Sequence, residues 1–373
     1  MNNNQQDFTA FDEYLRQREP TQKECASNWK TAIGLQAVDG LQPSAYLIDV
    51  AKRNIEGEIT IEETRKLIDS YYQSKTARTP KEEEEEEADK VSANITKILS
   101  TKTFAFNTNG YVSLHRRIFE GVFKHAGEIR QYDITKKEWV LEGDTVNYLN
   151  WEDLRRALDW DIEQEKNFQY KNLSDEEKIE HIAKFVSGIW QIHAFREGNT
   201  RTTAVFTIQY LRSLGYKVNN EMFAKHSWYF RNALVRANYH NIHKGIDYSP
   251  IYLVRFFKNL LLGDGWVLKN RYLHVHPTDE WKVQPRLSTP QVIQKVDRKG
   301  GQKTKKVDRK GRQKTKDSIL SFIASDPTIT TTEMSKRLGI NRSAISKHLK
   351  NLKEENRIER IGPDKGGKWF IKK

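Results

Sequence analysis

The chain has 373 residues with 63 Lys and Arg against 50 Asp and Glu, a net charge of +13. That length makes room for two or three domains, and fifteen Tyr, sixteen Phe and nine Trp are enough to build a core. A single cysteine, Cys25, excludes an intramolecular disulfide framework, and neither a signal pattern nor a run long enough to span a membrane is visible. The expectation is a cytoplasmic protein without membrane attachment. The positive charge is uneven: residues 295–373 carry 23 basic and 9 acidic side chains, and the remainder is close to neutral. Such a tail suits a polyanionic partner, above all nucleic acid.

Residues 1–75 read as helices. The run NWKTAIGLQAVDGLQPSAYL has apolar residues at helical spacing and stops at Gly40, with Pro43 beyond. A further helix pair breaks at Gly57. Residues 76–90, with six acidic residues from Glu82 to Glu87, read as an acidic linker or helix start without direct chemistry. The segment from Tyr132 to Glu142 mixes charged and apolar residues like a short β-hairpin. Residues 182–192 (IAKFVSGIWQI) and 202–214 (TTAVFTIQYLRSL) suit buried helices on either side of a loop, with Gly215 as a stop.

That loop, residues 193–201, reads His-Ala-Phe-Arg-Glu-Gly-Asn-Thr-Arg. His193 can take a proton from a hydroxyl. Glu197 can hold a divalent cation bridging phosphates. Gly198 and Asn199 tolerate unusual backbone angles, so N–H groups at the following helix start can converge on an anion. Arg201 can grip a phosphate. Phe195 reads as the core anchor of the loop.

This segment resembles the Fic family signature His-Pro-Phe-x-(Asp/Glu)-Gly-Asn-Gly-Arg-x-x-Arg. His193, Phe195, Glu197, Gly198, Asn199 and Arg201 match, whereas Ala194, Thr200 and Ala204 depart from it. The Ala126-Gly127-Glu128-Ile129-Arg130 run and the segment after it are similar to the turn and flap that precede the family's motif. The resemblance implies a mainly α fold: a helical Fic core (residues 91–289) with a small β-hairpin flap that holds a target strand. It also implies a protein adenylyltransferase, moving AMP from ATP with Mg²⁺ to a Ser, Thr or Tyr hydroxyl of a protein target.

On this carry-over His193 is the catalytic base and Glu197 the metal ligand. Gly198, Asn199 and Thr200 form the anion hole, and Arg201 holds the distal phosphates. Ala204 removes a second arginine, which should weaken triphosphate binding by about 1.5–3 kcal/mol and opens the donor's identity to another phosphate-containing group. A homodimer is compatible with the resemblance. The alternative is a nucleotide-sensing, DNA-binding transcription regulator with a weak or inactive core.

The N-terminal helices resemble the VbhA-like antitoxin module of some Fic toxins, whose inhibitory helix ends in Glu-(Gly/Asn). Asp39 and Gly40 stand at those positions, and Leu35 replaces the usual Ser/Thr. The usual lock is altered in both halves, because the arginine it engages is Ala204. Asp39 is expected to block the site by bulk and by repulsion of phosphate.

Residues 290–316 contain a direct repeat, KVDRKGGQKTK then KVDRKGRQKTK, that cannot build a core. Residues 317–373 resemble a winged helix-turn-helix: Asp317 caps a first helix, and a second spans Thr331 to Leu338. A turn at Gly339-Ile340-Asn341 leads to a recognition helix from Arg342 to Glu355, and a wing surrounds Pro363 to Gly367. Ile345, Leu349 and Leu352 share its inner face, while Arg342, Ser343, Ser346, Lys347 and Lys350 are the candidate DNA contacts.

Overall fold

In the computed structural model the described residues are 11–17, 19–218, 221–287, 316, 318–324, 326–338, 345, 348–349, 352–353, 357–361 and 368–372. The chain divides into two compact units, residues 1–296 and 297–373. The described part is mainly helical, as the sequence implies, and none of its helices is long and apolar enough to cross a membrane.

The first unit begins with α1 (Asp12–Gln17), α2 (Pro20–Gln36), α3 (Ala45–Glu56), α4 (Ile61–Gln73) and α5 (Pro80–Ser100). Every residue of α2 from Asn28 to Gln36 is buried, because α2 packs against α5 and α10 (Glu221–Asn238) and also touches α9 (Asn199–Ser213). A helix covered on all sides has no polar face, so its polar groups find local partners. Thr31 Oγ1 donates to the Ser27 carbonyl at 3.0 Å, and Gln36 Nε2 to the Ala32 carbonyl at 2.8 Å. The α2–α10 approach is close enough to require glycine. A Cβ at Gly34 would lie 2.4 Å from the Ala224 carbonyl oxygen, and Ser227 Oγ donates to the Gly34 carbonyl at 2.7 Å.

The acidic run is not an extended linker. Thr79 and Glu82 form a capping box, Pro80 occupies the first turn, and the glutamates open α5, where the helix dipole favours negative charge. One turn further on, buried Asp89 accepts from Ser44 N at 2.9 Å, Ser44 Oγ at 2.6 Å and Tyr72 Oη at 2.8 Å. It thereby joins α3, α4 and α5. Burial pushes this carboxyl up to about 6, and the three donors oppose the shift.

α6 (Thr108–Ile118), α7 (Leu154–Asn167), α8 (Asp175–Ile192), α9, α10 and α11 (Ile251–Leu262) enclose the main core. The expected flap hairpin forms no strand ladder. Its turn closes through Glu138 N to the Asp144 carbonyl at 2.9 Å and Gly143 N to the Glu138 carbonyl at 3.0 Å. Lys136 N goes to Thr145 Oγ1 at 3.3 Å, and a 3-10 turn takes up Trp139–Leu141. Side-chain and turn acceptors take donors that a cross-strand ladder would use.

In the second unit Ile319, Ile323, Ile329, Met334, Ile345, Leu349, Leu352, Ile358 and Trp369 form a buried cluster, which places the inner face of the recognition helix as expected. α12 (Thr331–Leu338) covers the expected second helix, and β1 (Ile358–Ile361) pairs antiparallel with β2 (Lys368–Ile371), Glu359 opposite Phe370. Asp317, the turn at 339–341, the wing tip at 362–367 and most of the basic repeat lie outside the described residues.

Gly34→Ala should lower stability by about 1–3 kcal/mol through overpacking against α10. Thermal unfolding of the two proteins checks this, and an unchanged midpoint would place the two helices further apart than described.

Candidate functional site

α8 ends at Ile192, and His193 caps it in the left-handed region at φ 51°, ψ 55°. A non-glycine residue there is strained and must be held by its surroundings. Fully buried Arg130 does so: its Nε donates to the His193 carbonyl at 2.8 Å and its Nη1 to the Tyr132 carbonyl at 2.6 Å. The Arg130 amide bonds to the Ala194 carbonyl at 2.9 Å.

The imidazole lies 4.0 Å from the Tyr148 ring, centroid to centroid. Its Nδ1 is 3.2 Å from the Trp190 carbonyl, which assigns the proton to Nδ1 and the lone pair to Nε2. Nε2 is buried and has no partner. Burial, and then the charge of Lys136, hold His193 well below the ordinary histidine value, so it is neutral at pH 7.

Asn199 closes the loop on itself. Phe195 N donates to its Oδ1 at 2.9 Å, and its Nδ2 donates to the Phe195 carbonyl at 2.7 Å. Its side chain therefore shapes the loop rather than facing an anion. Gly198, at φ 75°, is the N-cap of α9, where no side chain caps the helix. A Cβ there would lie 2.1 Å from Phe119 Cζ. The first-turn N–H groups of Asn199 and Thr200 lack intrahelical acceptors, as at any helix start. Thr200 has a structural use for its hydroxyl, which accepts from Trp190 Nε1 at 3.0 Å. Ala204 is fully buried in the core. Phe195 is fully buried as expected and stacks on His115 at 3.8 Å.

His115 escaped the sequence reading. Gly127 N donates to its Nδ1 at 2.8 Å, so Nε2 carries the proton and donates to the Glu197 carbonyl at 3.0 Å. One neutral ring thus ties the Ala126–Arg130 turn to the motif loop. Burial pushes it down to about 3.

Glu197 is half exposed, and Lys136 Nζ lies 3.2 Å from its Oε2. An ammonium already sits where a cation would. A single exposed carboxylate fits a magnesium ion that arrives with phosphates, since Mg²⁺ is commonly held by one or two carboxylates plus the substrate. Among the described residues no cluster of three ligands could hold a metal unaided.

Arg201, the expected phosphate grip, is 2% exposed and already engaged. Its Nη2 is 2.7 Å from Glu87 Oε1, and its Nη1 donates to Gln36 Oε1 at 3.0 Å. Nε is 2.8 Å from Asp39 Oδ2, an ion-pair distance without the alignment of a hydrogen bond. The guanidinium also lies over the Phe119 ring at 4.8 Å. Asp39 ends a 3-10 turn (Ala37–Asp39) and Gly40, at φ 75°, stops it. Asp39 thus meets the first motif arginine, a contact not anticipated once the second was seen to be Ala204. Glu87, placed in a run read as having no chemistry, was missed because no local pattern marks it.

Asp39, Glu87, Glu197 and Arg201 line a cavity of about 900 Å³ together with Phe123, Lys225, Trp228 and Arg231. That volume suits a nucleotide-sized ligand. His193 does not line it. Arg231 is paired with buried Glu138 at 2.7 Å, which links α10 to the segment carrying Lys136. Arg342, Ser343, Ser346, Lys347 and Lys350 lie outside the described residues.

Residues 105–211 match the profile of the Fic/DOC family, and residues 312–359 match a winged helix-turn-helix DNA-binding profile. The chain therefore carries a Fic/DOC domain and a C-terminal winged helix. Over 118 residues it is 27% identical to a probable protein adenylyltransferase Fic of Salmonella typhimurium, a match covering 31% of this chain and 55% of that protein. The chain thus spans about half the length of that relative.

Similar solved structures include the N-terminal Fic domain of an effector protein from Bartonella sp. AR 15-3, at 19% identity and TM-score 0.39, covering 50% of this chain and 84% of that one. A BepC protein with bound AMPPNP from Bartonella tribocorum has 18% identity and TM-score 0.38, covering 49% and 88%. A Fic family protein from Desulfovibrio desulfuricans G20 has 11% identity and TM-score 0.44, covering 98% and 93%.

Because the folded pKa of His115 is depressed, its contribution to stability is present above pH 6.5 and is lost as pH falls from 6.5 toward about 3. The loss approaches about 1.4 kcal/mol per pH unit. Denaturant unfolding across that range should give a shallower pH slope for His115→Gln than for the parent, and equal slopes would contradict the buried neutral ring.

Proposed function

We propose that the chain is a nucleotidyltransferase that moves AMP from ATP to a Ser, Thr or Tyr hydroxyl of a protein. The observation that carries this reading is His193: a buried, neutral imidazole with an unpartnered Nε2, held in a strained conformation on the same loop as Glu197 and just before the helix that carries Arg201. Strain maintained by several hydrogen bonds at a titratable group points to a chemical task. The Fic/DOC match over 105–211 and the relative named as a probable adenylyltransferase support the same reading.

On this proposal His193 Nε2 takes the proton of the target hydroxyl as its oxygen bonds to the α-phosphorus. The bond to the bridging oxygen breaks, and pyrophosphate leaves. The Asn199 and Thr200 N–H groups face the phosphate oxygens, and Arg201 holds the distal phosphates. Glu197 would hold Mg²⁺, which supplies charge neutralisation to the phosphates.

Asp39 acts as the inhibitory residue, through Arg201 rather than through a second motif arginine. The 3-10 turn carrying it must move before Arg201 can accept phosphate. His193 Nε2, buried beside the Tyr148 ring, must also be uncovered before a target hydroxyl can reach it. The winged helix binds DNA through the strongly basic C-terminal part, with Arg342, Ser343, Ser346, Lys347 and Lys350 as contacts. This leaves a second reading, a DNA-binding regulator that senses nucleotide without turnover, which Ala204 in place of the second motif arginine and the altered inhibitory motif at Leu35 and Asp39 favour.

Incubation with ATP labelled at the α- or γ-phosphate separates these readings. AMP transfer predicts α-label on protein, abolished by His193→Ala and increased by Asp39→Ala. Label from the γ position alone would replace AMP by phosphate as the transferred group. No label from any variant, in the presence of measurable nucleotide binding, would favour the sensor. In the same proteins His193→Ala should leave DNA affinity unchanged, whereas Arg342→Ala with Lys347→Ala should weaken it and flatten its salt dependence. Gel-shift titration at two salt concentrations reads that outcome.

A further inference from the structure

The acidic run at the start of α5 is not uniform. Glu82 caps its own helix, Glu85 pairs with Lys81, and Glu86 pairs with Lys90. Glu87 alone reaches the site, its Oε1 lying 2.7 Å from Arg201 Nη2. Arg201 cannot shed its charge: Nη1 donates to Gln36, Nη2 donates to Glu87, and Nε lies at ion-pair distance from Asp39. Two carboxylates therefore serve one cation.

They differ in how they are mounted. Asp39 sits on a single 3-10 turn ending at a left-handed glycine, and its side chain is 32% exposed. Glu87 sits on a helix running from Pro80 to Ser100, two residues before Asp89, whose three hydrogen bonds pin that helix to α3 and α4. Local motion can withdraw Asp39. The Glu87 backbone stays docked with α5, so only a rotation of its side chain releases Arg201.

We infer that Glu87 is a second carboxylate lock on Arg201, so that release of Asp39 alone frees the arginine only in small part for a polyphosphate ligand. The inference rests on the phosphate-binding reading of Arg201. It has a distinctive energetic signature. If either carboxylate suffices to hold the guanidinium, removing one leaves Arg201 paired and removing both frees it. The combined effect then exceeds the product of the single effects. Two independent repulsions of an incoming phosphate would instead multiply.

The test uses the full chain with Asp39→Asn, Glu87→Gln and the double substitution. Glu87→Ala serves as a second variant at that position, because a glutamine oxygen can still accept from Arg201. Two quantities are read: the affinity for a non-hydrolysable ATP analogue and for inorganic tripolyphosphate by calorimetry, and phenylglyoxal labelling of the Arg201 peptide by mass spectrometry. Thermal unfolding verifies that each variant is folded.

Each single change is expected to alter both readouts by about threefold or less, and the double change by at least about tenfold beyond their product. Labelling needs no nucleotide. Super-additive labelling without polyphosphate binding in any variant therefore upholds the lock while removing the nucleotide reading. If substituting Glu87 on the Asp39→Asn background leaves labelling and affinity unchanged or lower, the lock is overturned, and Glu87 only orients Arg201. A merely multiplicative double effect overturns it as well.

Discussion

The Arg201 guanidinium, buried to 2% exposure at the wall of the cavity, constrains everything around it. Arginine stays protonated, so a site of this depth must bring it counter-charge and hydrogen-bond acceptors or lose stability. The fold does so with three helical segments that are remote in sequence: the end of α2 through Gln36, the following turn through Asp39, and the start of α5 through Glu87. The charge that would receive a phosphate is thereby also the charge that anchors the N-terminal helices onto the Fic/DOC domain. On the proposed phosphate-binding role, structure and ligand would compete for one side chain, and the carboxylates already hold it.

The motif loop obeys a second constraint, a backbone that would not hold its shape alone. His193 and Gly198 both take positive φ, five residues apart. Asn199 bonds to both polar groups of the Phe195 backbone, Arg130 bonds to the His193 carbonyl, and His115 bonds to the Glu197 carbonyl. Each support is buried, and a hydrogen bond in such a setting is costly to break. The result is a loop whose imidazole is neutral and fixed, and whose carboxylate remains half exposed at the cavity. The departures from the family pattern find local sense within this packing. Thr200 satisfies the Trp190 indole, while Ala204 fills a core position without a charge.

Much of this was legible in the sequence. Apolar spacing located α2, α8 and α9, glycines marked the stops beyond α2 and α9, and the order of residues 193–201 singled out the loop. Charge partition separated the basic tail from a neutral remainder, and spacing placed Ile345, Leu349 and Leu352 in a common core. These are local properties: periodicity, capping and composition act between residues a few positions apart.

What only the tertiary structure decided are the pairings across long separations. Glu87 belongs to a run of like residues that differ only in which way the helix turns them, so nothing in the run distinguishes it before α5 is docked against α9. His115 and Arg130 look like ordinary side chains until the loop they support is folded against them. The segment expected as a hairpin became an irregular loop because Thr145 and a 3-10 turn supply acceptors that spacing does not reveal. The sequence by itself determined the helices, the motif and the charged tail, since those follow from near neighbours. Packing decided which carboxylates hold Arg201, since a buried charge takes whatever partners the core brings within 3 Å.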